Sequence, residues 1–352
     1  MKYIIILLIL ISFDVSAGVG VQPPTPPPQP ASGPGGKEYL YNNVKVTKHS
    51  KGYFGYYIFE PEDYKQFTAP LIVFVHGWGA VYPYSYKAWI DHLVKKGNIV
   101  IYPTYQRIVS APKKFTKHAT DGLKRALEEI EKGNHIKPDL DRVGYIGHSA
   151  GGVIAVNFAV ESLSDSNIPK PKFILSIEPG ITTIPPESRK AARGRNTNNI
   201  RIPLLDVSKL PSNIYLITVS GDSDTNVFDH DAKKIYNETI NIPKNNKAYI
   251  IMHSDYHGNP PLIADHFAPI AIEGNYKEIL NLTENVAPEV YNKRSTRSGA
   301  NALDYYGTWK LSDMLIDITF NNKDFQNLNA SFITHYMGEW SDGTPVKEIT
   351  IY

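Results

Sequence analysis

Eleven residues, Arg142-Val143-Gly144-Tyr145-Ile146-Gly147-His148-Ser149-Ala150-Gly151-Gly152, hold the residue types that could do chemistry at the closest spacing. A short apolar run ends at Gly147. A helical pattern carrying Val153, Ile154, Val156, Phe158 and Val160 follows. Between them Gly147-His148-Ser149-Ala150-Gly151 fits the G-x-S-x-G elbow, in which a serine stands on a sharp strand-to-helix turn. A serine hydroxyl is a weak nucleophile and needs exposure and a neighbouring base. Gly147 and Gly151 lack the Cβ that so tight a turn would crowd. The following helix would place its free N–H groups near a developing oxyanion. Ser149 is the expected nucleophile.

Such a serine needs a base, an acid that orients the base, and oxyanion donors. The apolar run at residues 71–75 ends in His76-Gly77-Trp78-Gly79. Small residues at the carboxyl edge of a strand let backbone N–H groups face the crevice where α/β proteins bind ligands. The backbone N–H groups of Trp78 and Ala150 are the expected oxyanion donors. Trp78 is also expected to line the pocket with its indole. The acid is sought after the strand at residues 214–219, in Ser220-Gly221-Asp222-Ser223-Asp224-Thr225. Asp224 lies deeper in that loop and is the expected acid; Asp222 reads as a turn cap. Three histidines follow, His253, His257 and His266. His253 ends a strand, and His257 precedes the rigid turn Gly258-Asn259-Pro260-Pro261. His266, in Asp265-His266-Phe267-Ala268-Pro269, is the expected base. A metal site at His253, Asp255 and His257 has nothing beyond its spacing to support it.

The elements that must position these groups can be read from hydrophobic pattern. Residues 39–47 and 53–59 flank Ser50-Lys51-Gly52 and read as an antiparallel hairpin. Residues 71–75, 99–102, 143–146, 173–177, 214–219 and 248–252 are apolar runs of the kind buried on both faces of a parallel sheet. Helical faces lie between them, one with Tyr86, Trp89, Ile90, Leu93 and Val94 and another with Leu123, Ala126, Leu127 and Ile130. The expectation is one α/β domain over residues 37–352, with a mostly parallel sheet, an antiparallel N-terminal hairpin and helices on both faces. A basic insertion is expected near residues 184–204, with Arg189, Arg193 and Arg195. A C-terminal extension from about residue 280 carries the stripe Leu311, Met314, Leu315 and Ile318 and should pack on the sheet.

Four stretches together resemble the α/β-hydrolase superfamily, and within it the secreted bacterial cutinase, polyester-hydrolase and dienelactone-hydrolase-like branch. They are His76-Gly77-Trp78-Gly79, Gly147-His148-Ser149-Ala150-Gly151-Gly152, Gly221-Asp222-Ser223-Asp224-Thr225 and His266-Phe267-Ala268-Pro269. The order Ser149, Asp224, His266 is the order of that fold. The resemblance implies carboxylic-ester hydrolysis through an acyl-enzyme, with no cofactor and no metal. A lipase or phospholipid acyl hydrolase, and a silent fold serving as a surface binding protein, are the other readings.

Composition bounds the rest. The 352 residues are 42% hydrophobic and 20% charged, with a formal net charge of +2, which suggests neither nucleic acid nor an acidic surface as partner. The expected partner is a small-molecule or lipid ester. The chain has no cysteine, which excludes disulfides, thiolate metal sites and a cysteine nucleophile. Lys2, the apolar run of residues 3–13 and Val15-Ser16-Ala17 read as a signal peptide over residues 1–17. A secreted or periplasmic protein without a stable membrane span is expected. Residues 18–36, with Gln22-Pro23-Pro24-Thr25-Pro26-Pro27-Pro28-Gln29-Pro30, read as a Pro-rich linker outside the packed domain.

Overall fold

The computed structural model describes residues 22–49, 54–106, 111–182, 201–272, 299–321 and 335–352. The expected signal peptide, most of the basic insertion and much of the expected extension lie outside these residues.

Among the described residues nine strands form one sheet. In chain order they are β1 (Val44–His49), β2 (Gly55–Pro61), β3 (Thr68–Val75), β4 (Ile99–Thr104), β5 (Lys137–His148), β6 (Phe173–Ile177), β7 (Tyr215–Gly221), β8 (Lys247–Met252) and β9 (Thr350–Ile351). The spatial order is β1-β2-β4-β3-β5-β6-β7-β8-β9. Pairs from β4 through β8 are parallel. β1, β2 and β9 pair antiparallel. The strand order reverses between β3 and β5, and the crevice beyond their carboxyl ends is where open α/β sheets bind ligands.

Helices α1 (Lys87–Lys95), α2 (Phe115–Lys132), α3 (Ala150–Glu161), α4 (His230–Glu238) and α5 (Trp309–Phe320) cover the sheet. Strand side chains alternate between faces, so β3 feeds two cores. Ile72 and Phe74 join Trp89, Leu93, Leu311 and Leu315 on the α1–α5 side. Leu71, Val73 and Val75 join Leu123, Ala126, Val153 and Phe158 on the α2–α3 side. α3 is apolar on every side because it is buried almost throughout. α5 carries the expected stripe and packs over β5 and β6. Among the described residues no helix is long and apolar enough to cross a membrane.

The Pro-rich stretch differs from its reading as a detached spacer. From residue 22 it lies against the body. Pro27 is buried. Thr25 N–H donates to Ser341 Oγ (2.9 Å), and Ser341 N–H returns a bond to Thr25 O (3.0 Å). Gly35 N–H donates to the buried Asp313 carboxylate on α5 (2.7 Å). Proline removes donors, but its carbonyls still accept, and an extended chain leaves them open to a neighbouring surface.

Candidate active site

The turn after β5 puts Ser149 where the sheet order reverses. Ser149 has φ +57° and ψ −124°, and α3 begins at the next residue. Its N–H donates to Ile177 O (2.9 Å), and its carbonyl accepts from Gly152 N–H (2.9 Å). No other side chains fit beside it: a Cβ on Gly147 would lie 2.1 Å from Gly151 O, and one on Gly151 would lie 2.0 Å from Val75 O.

Two distant loops meet this serine. His266 Nε2 is 2.8 Å from Ser149 Oγ, and His266 Nδ1 is 2.8 Å from Asp224 Oδ2. Asp224 is fully placed, because its Oδ1 accepts the N–H groups of Asn226 (2.8 Å) and Val227 (3.1 Å). All three side chains are buried. The structure does not bring Asp222 or His257 to Ser149. Asp222 turns to β8 and accepts from Ser254 N–H (3.0 Å) and the Ser254 hydroxyl (2.6 Å). Burial pushes the Asp222 carboxyl up, but the Ser254 and His253 hydrogen bonds outweigh it and leave it below the ordinary carboxylate value. His257 pairs with Asp342 on the surface (2.8 Å). His253 bonds Thr350 of β9 (2.8 Å). Asp255 accepts from Trp340 and from the N–H groups of His257 and Lys347, so these three residues do not converge as ligands.

The loop His76-Gly77-Trp78-Gly79, expected to carry an oxyanion donor, is held from behind. The Gly77 carbonyl accepts from His76 Nδ1 (2.7 Å) and from Ala80 N–H (3.1 Å). In a trans peptide the N–H points opposite to the C=O, so Trp78 N–H turns away from these partners. His76 is stacked between Tyr105 (4.1 Å) and Tyr102 (5.1 Å). Burial pulls its imidazole down to about 3, against the Gly77 bond, so it stays a neutral donor. Ala150 is the first residue of α3, where an N–H has no carbonyl one turn back.

Three residues to which the sequence assigns no role in the site, Tyr86, His148 and Glu178, complete the surroundings. Gly77 N–H donates to the Tyr86 hydroxyl (3.0 Å), which is 2.7 Å from His148 Nδ1. His148 Nε2 lies 2.9 Å from the His266 carbonyl and 3.3 Å from Glu178 Oε2. A carbonyl only accepts, so Nε2 carries a proton, and in the neutral ring Nδ1 accepts from Tyr86. One chain of bonds thus joins the Gly77 loop, the elbow and the loop of His266. Glu178 is buried, has φ +44°, and puts a second carboxylate 3.8 Å from His266 Nδ1. Its one sequence signal is an acid ending an apolar strand, just before Pro179-Gly180. His148, Glu178 and His266 have donor atoms within 4.8 Å of one another, close enough for a metal ion. The bonds just described already engage these donors within the protein.

A family model described as chlorophyllase matches residues 40–181. That span holds the His76–Gly79 loop, Ser149 and Glu178 but neither Asp224 nor His266. A curated protein called probable carboxylesterase M8, from a Phoma species, is 26% identical over 160 residues, covering 37% of this chain and 48% of that protein. The chain therefore spans about half the length of the relative it matches. Sheet order, elbow and family match agree, and the chain has the α/β-hydrolase fold.

Proposed function

We propose that the protein is an exported serine esterase working through Ser149, His266 and Asp224. One observation carries this reading: two contacts of 2.8 Å link hydroxyl, imidazole and carboxylate in a line. The matches to chlorophyllase and to a carboxylesterase support ester chemistry. His266 Nε2 takes the proton as Ser149 Oγ bonds to the ester carbonyl carbon. Asp224 fixes the tautomer and steadies the imidazolium. Trp78 and Ala150 N–H groups receive the oxyanion, each worth about 3 kcal/mol of transition-state stabilisation. The carbon–oxygen bond to the alcohol breaks, and His266 gives its proton to the leaving alkoxide. Water then attacks the acyl-enzyme, losing its proton to His266, which returns it to Ser149 as the acid departs. Export rests on the charged start, apolar run and small-x-small site of residues 1–17.

The test is covalent. A fluorophosphonate probe should add one adduct, located on Ser149 by peptide mass spectrometry, and should abolish cleavage of a soluble ester. A folded protein that neither takes the probe nor cleaves any ester is a binding protein, and the reading fails.

A further inference from the structure

Ser149 and His266 open into a depression of about 190 Å³. Its walls are unequal. Ala80, Tyr86 and Ile270 are buried and close its floor. Trp78 is 44% exposed and Asn226 is exposed, and both stand at the rim. The floor belongs to the oxyanion side. Ala80 ends the oxyanion loop, its N–H on Gly77 O. Ile270 is laced to the same side, because Ala271 N–H donates to Ser85 O (3.0 Å) and Ala88 N–H donates to Ala271 O (3.2 Å). The rim beside His266 is made by Asn226, two residues from Asp224, and by the half-buried Phe267.

The chemistry then gives the substrate two sides. His266 must hand its proton to the leaving alkoxide, so the alcohol lies on the His266 side, over the open rim. The acyl group stays on Ser149 and turns the other way, toward the floor. The whole depression, about 190 Å³, is below the roughly 300–1,000 Å³ of pockets that enclose drug-sized ligands, and the acyl side is only part of it. On the His266 side the rim offers the half-buried Phe267 ring, set edge-to-face on His266 at 5.6 Å, which suits a large apolar or aromatic alcohol. We propose that the site is selective for short acyl groups, acetyl to butyryl, and permissive for bulky alcohols, with Ala80 and Ile270 setting the acyl limit. This rests on the serine-esterase reading.

The experiment measures kcat/KM for p-nitrophenyl acetate, butyrate, octanoate and laurate below their solubility limits, and for 1-naphthyl butyrate. Added methylenes that a closed pocket cannot take should cost at least about 100-fold between butyrate and laurate. The two butyrates should agree within about tenfold. Ile270→Ala should raise octanoate relative to butyrate by about tenfold, and Ala80→Leu should move the preference to acetate. Should Ala80→Leu fail to fold, Ile270→Ala decides alone. Laurate within tenfold of butyrate, or an Ile270→Ala profile matching the wild type, overturns the proposal. Fluorophosphonate labelling of the same preparation separates the two failures. A labelled serine with a flat acyl profile sinks only this inference, while no label and no cleavage sinks the esterase reading beneath it.

Discussion

At the residue scale, the groups around Ser149 divide by what they touch. Asp222 and His257 are engaged elsewhere, with Ser254 and with Asp342. Asp222→Ala and His257→Ala should therefore cost at most about tenfold in kcat/KM, equivalent to about 1.4 kcal/mol. A dead His257→Ala with an active His266→Ala would reverse the choice of base. Tyr86 is different. Its hydroxyl accepts from Gly77 N–H and faces His148 Nδ1, which in turn ties down the His266 backbone. Tyr86→Phe leaves buried polar groups unpaired, at a cost of about 1–3 kcal/mol. We expect kcat to fall about 10–100-fold with KM little changed, because the loops that meet the transition state lose alignment. A rise in KM alone would show that Tyr86 serves only the pocket wall. The serine motif and the two loop residues were legible in sequence because each sits in a local pattern. Tyr86 and Glu178 were not, because their meaning comes only from partners at long range. A tyrosine among 23 carries no local sign of its role.

At the element scale, strands buried on both faces announced themselves as unbroken apolar runs, and β6 matches its expected residues 173–177. β5 runs longer than expected, over Lys137–His148, because its first half is polar and pairs by backbone alone. α4 was missed, since its nine residues are mostly polar and only Asp231, Ala232 and Ile235 are buried. β9 was missed because a two-residue strand has no period to read. The π-turn at Asp304–Thr308 and α5 carry three buried ionisable groups, Asp304, Lys310 and Asp313, and burial shifts the first two toward their neutral forms. Burial pushes the Asp304 carboxyl up to about 7, against bonds from nearby N–H groups. Burial pulls the Lys310 ammonium down to about 7, with Glu348 acting the other way. Asp304 is raised above its unfolded value near 4, so its contribution is full below about pH 4 and lost as pH rises to about 7. Lys310 is depressed from its unfolded value near 10.4, so its contribution is full above that and lost as pH falls to about 7. The two effects together disfavour the fold most near neutrality. Asp304→Asn should flatten the fall in Tm between pH 5 and pH 7. An unchanged slope in thermal melts across that window would show that Asp304 is not the group responsible.

At the scale of the whole molecule, both described ends of the chain grip the loop that delivers His266. Asn259 N–H donates to Pro24 O (2.8 Å). Trp340 is buried and donates to Asp255 Oδ2 (3.2 Å), and Lys347 N–H donates to the same oxygen (2.9 Å). Composition marked the Pro-rich stretch as extended but could not show the surface it lies on, since that surface comes from residues some 300 positions away. Trp340→Ala should cost about 3–5 kcal/mol in denaturant unfolding, as large buried aromatics do. Trp340→Phe, which keeps most of the bulk, should cost less; equal losses would assign the effect to the Asp255 bond rather than to packing. The central claim also spans the whole chain: Ser149 lies 117 residues from His266, and Asp224 lies 42 from it, yet the three side chains meet, and the proposed function requires them to act as one unit. The direct test is kcat/KM on one soluble ester for Ser149→Ala, His266→Ala and the double variant, with folding checked by thermal melts. Each single variant should lose about 10⁴-fold or more and the double should be no worse, because residues that act together lose their effect together. A His266→Ala variant with near wild-type turnover, or a double variant whose loss is the product of the two single losses, would contradict the account.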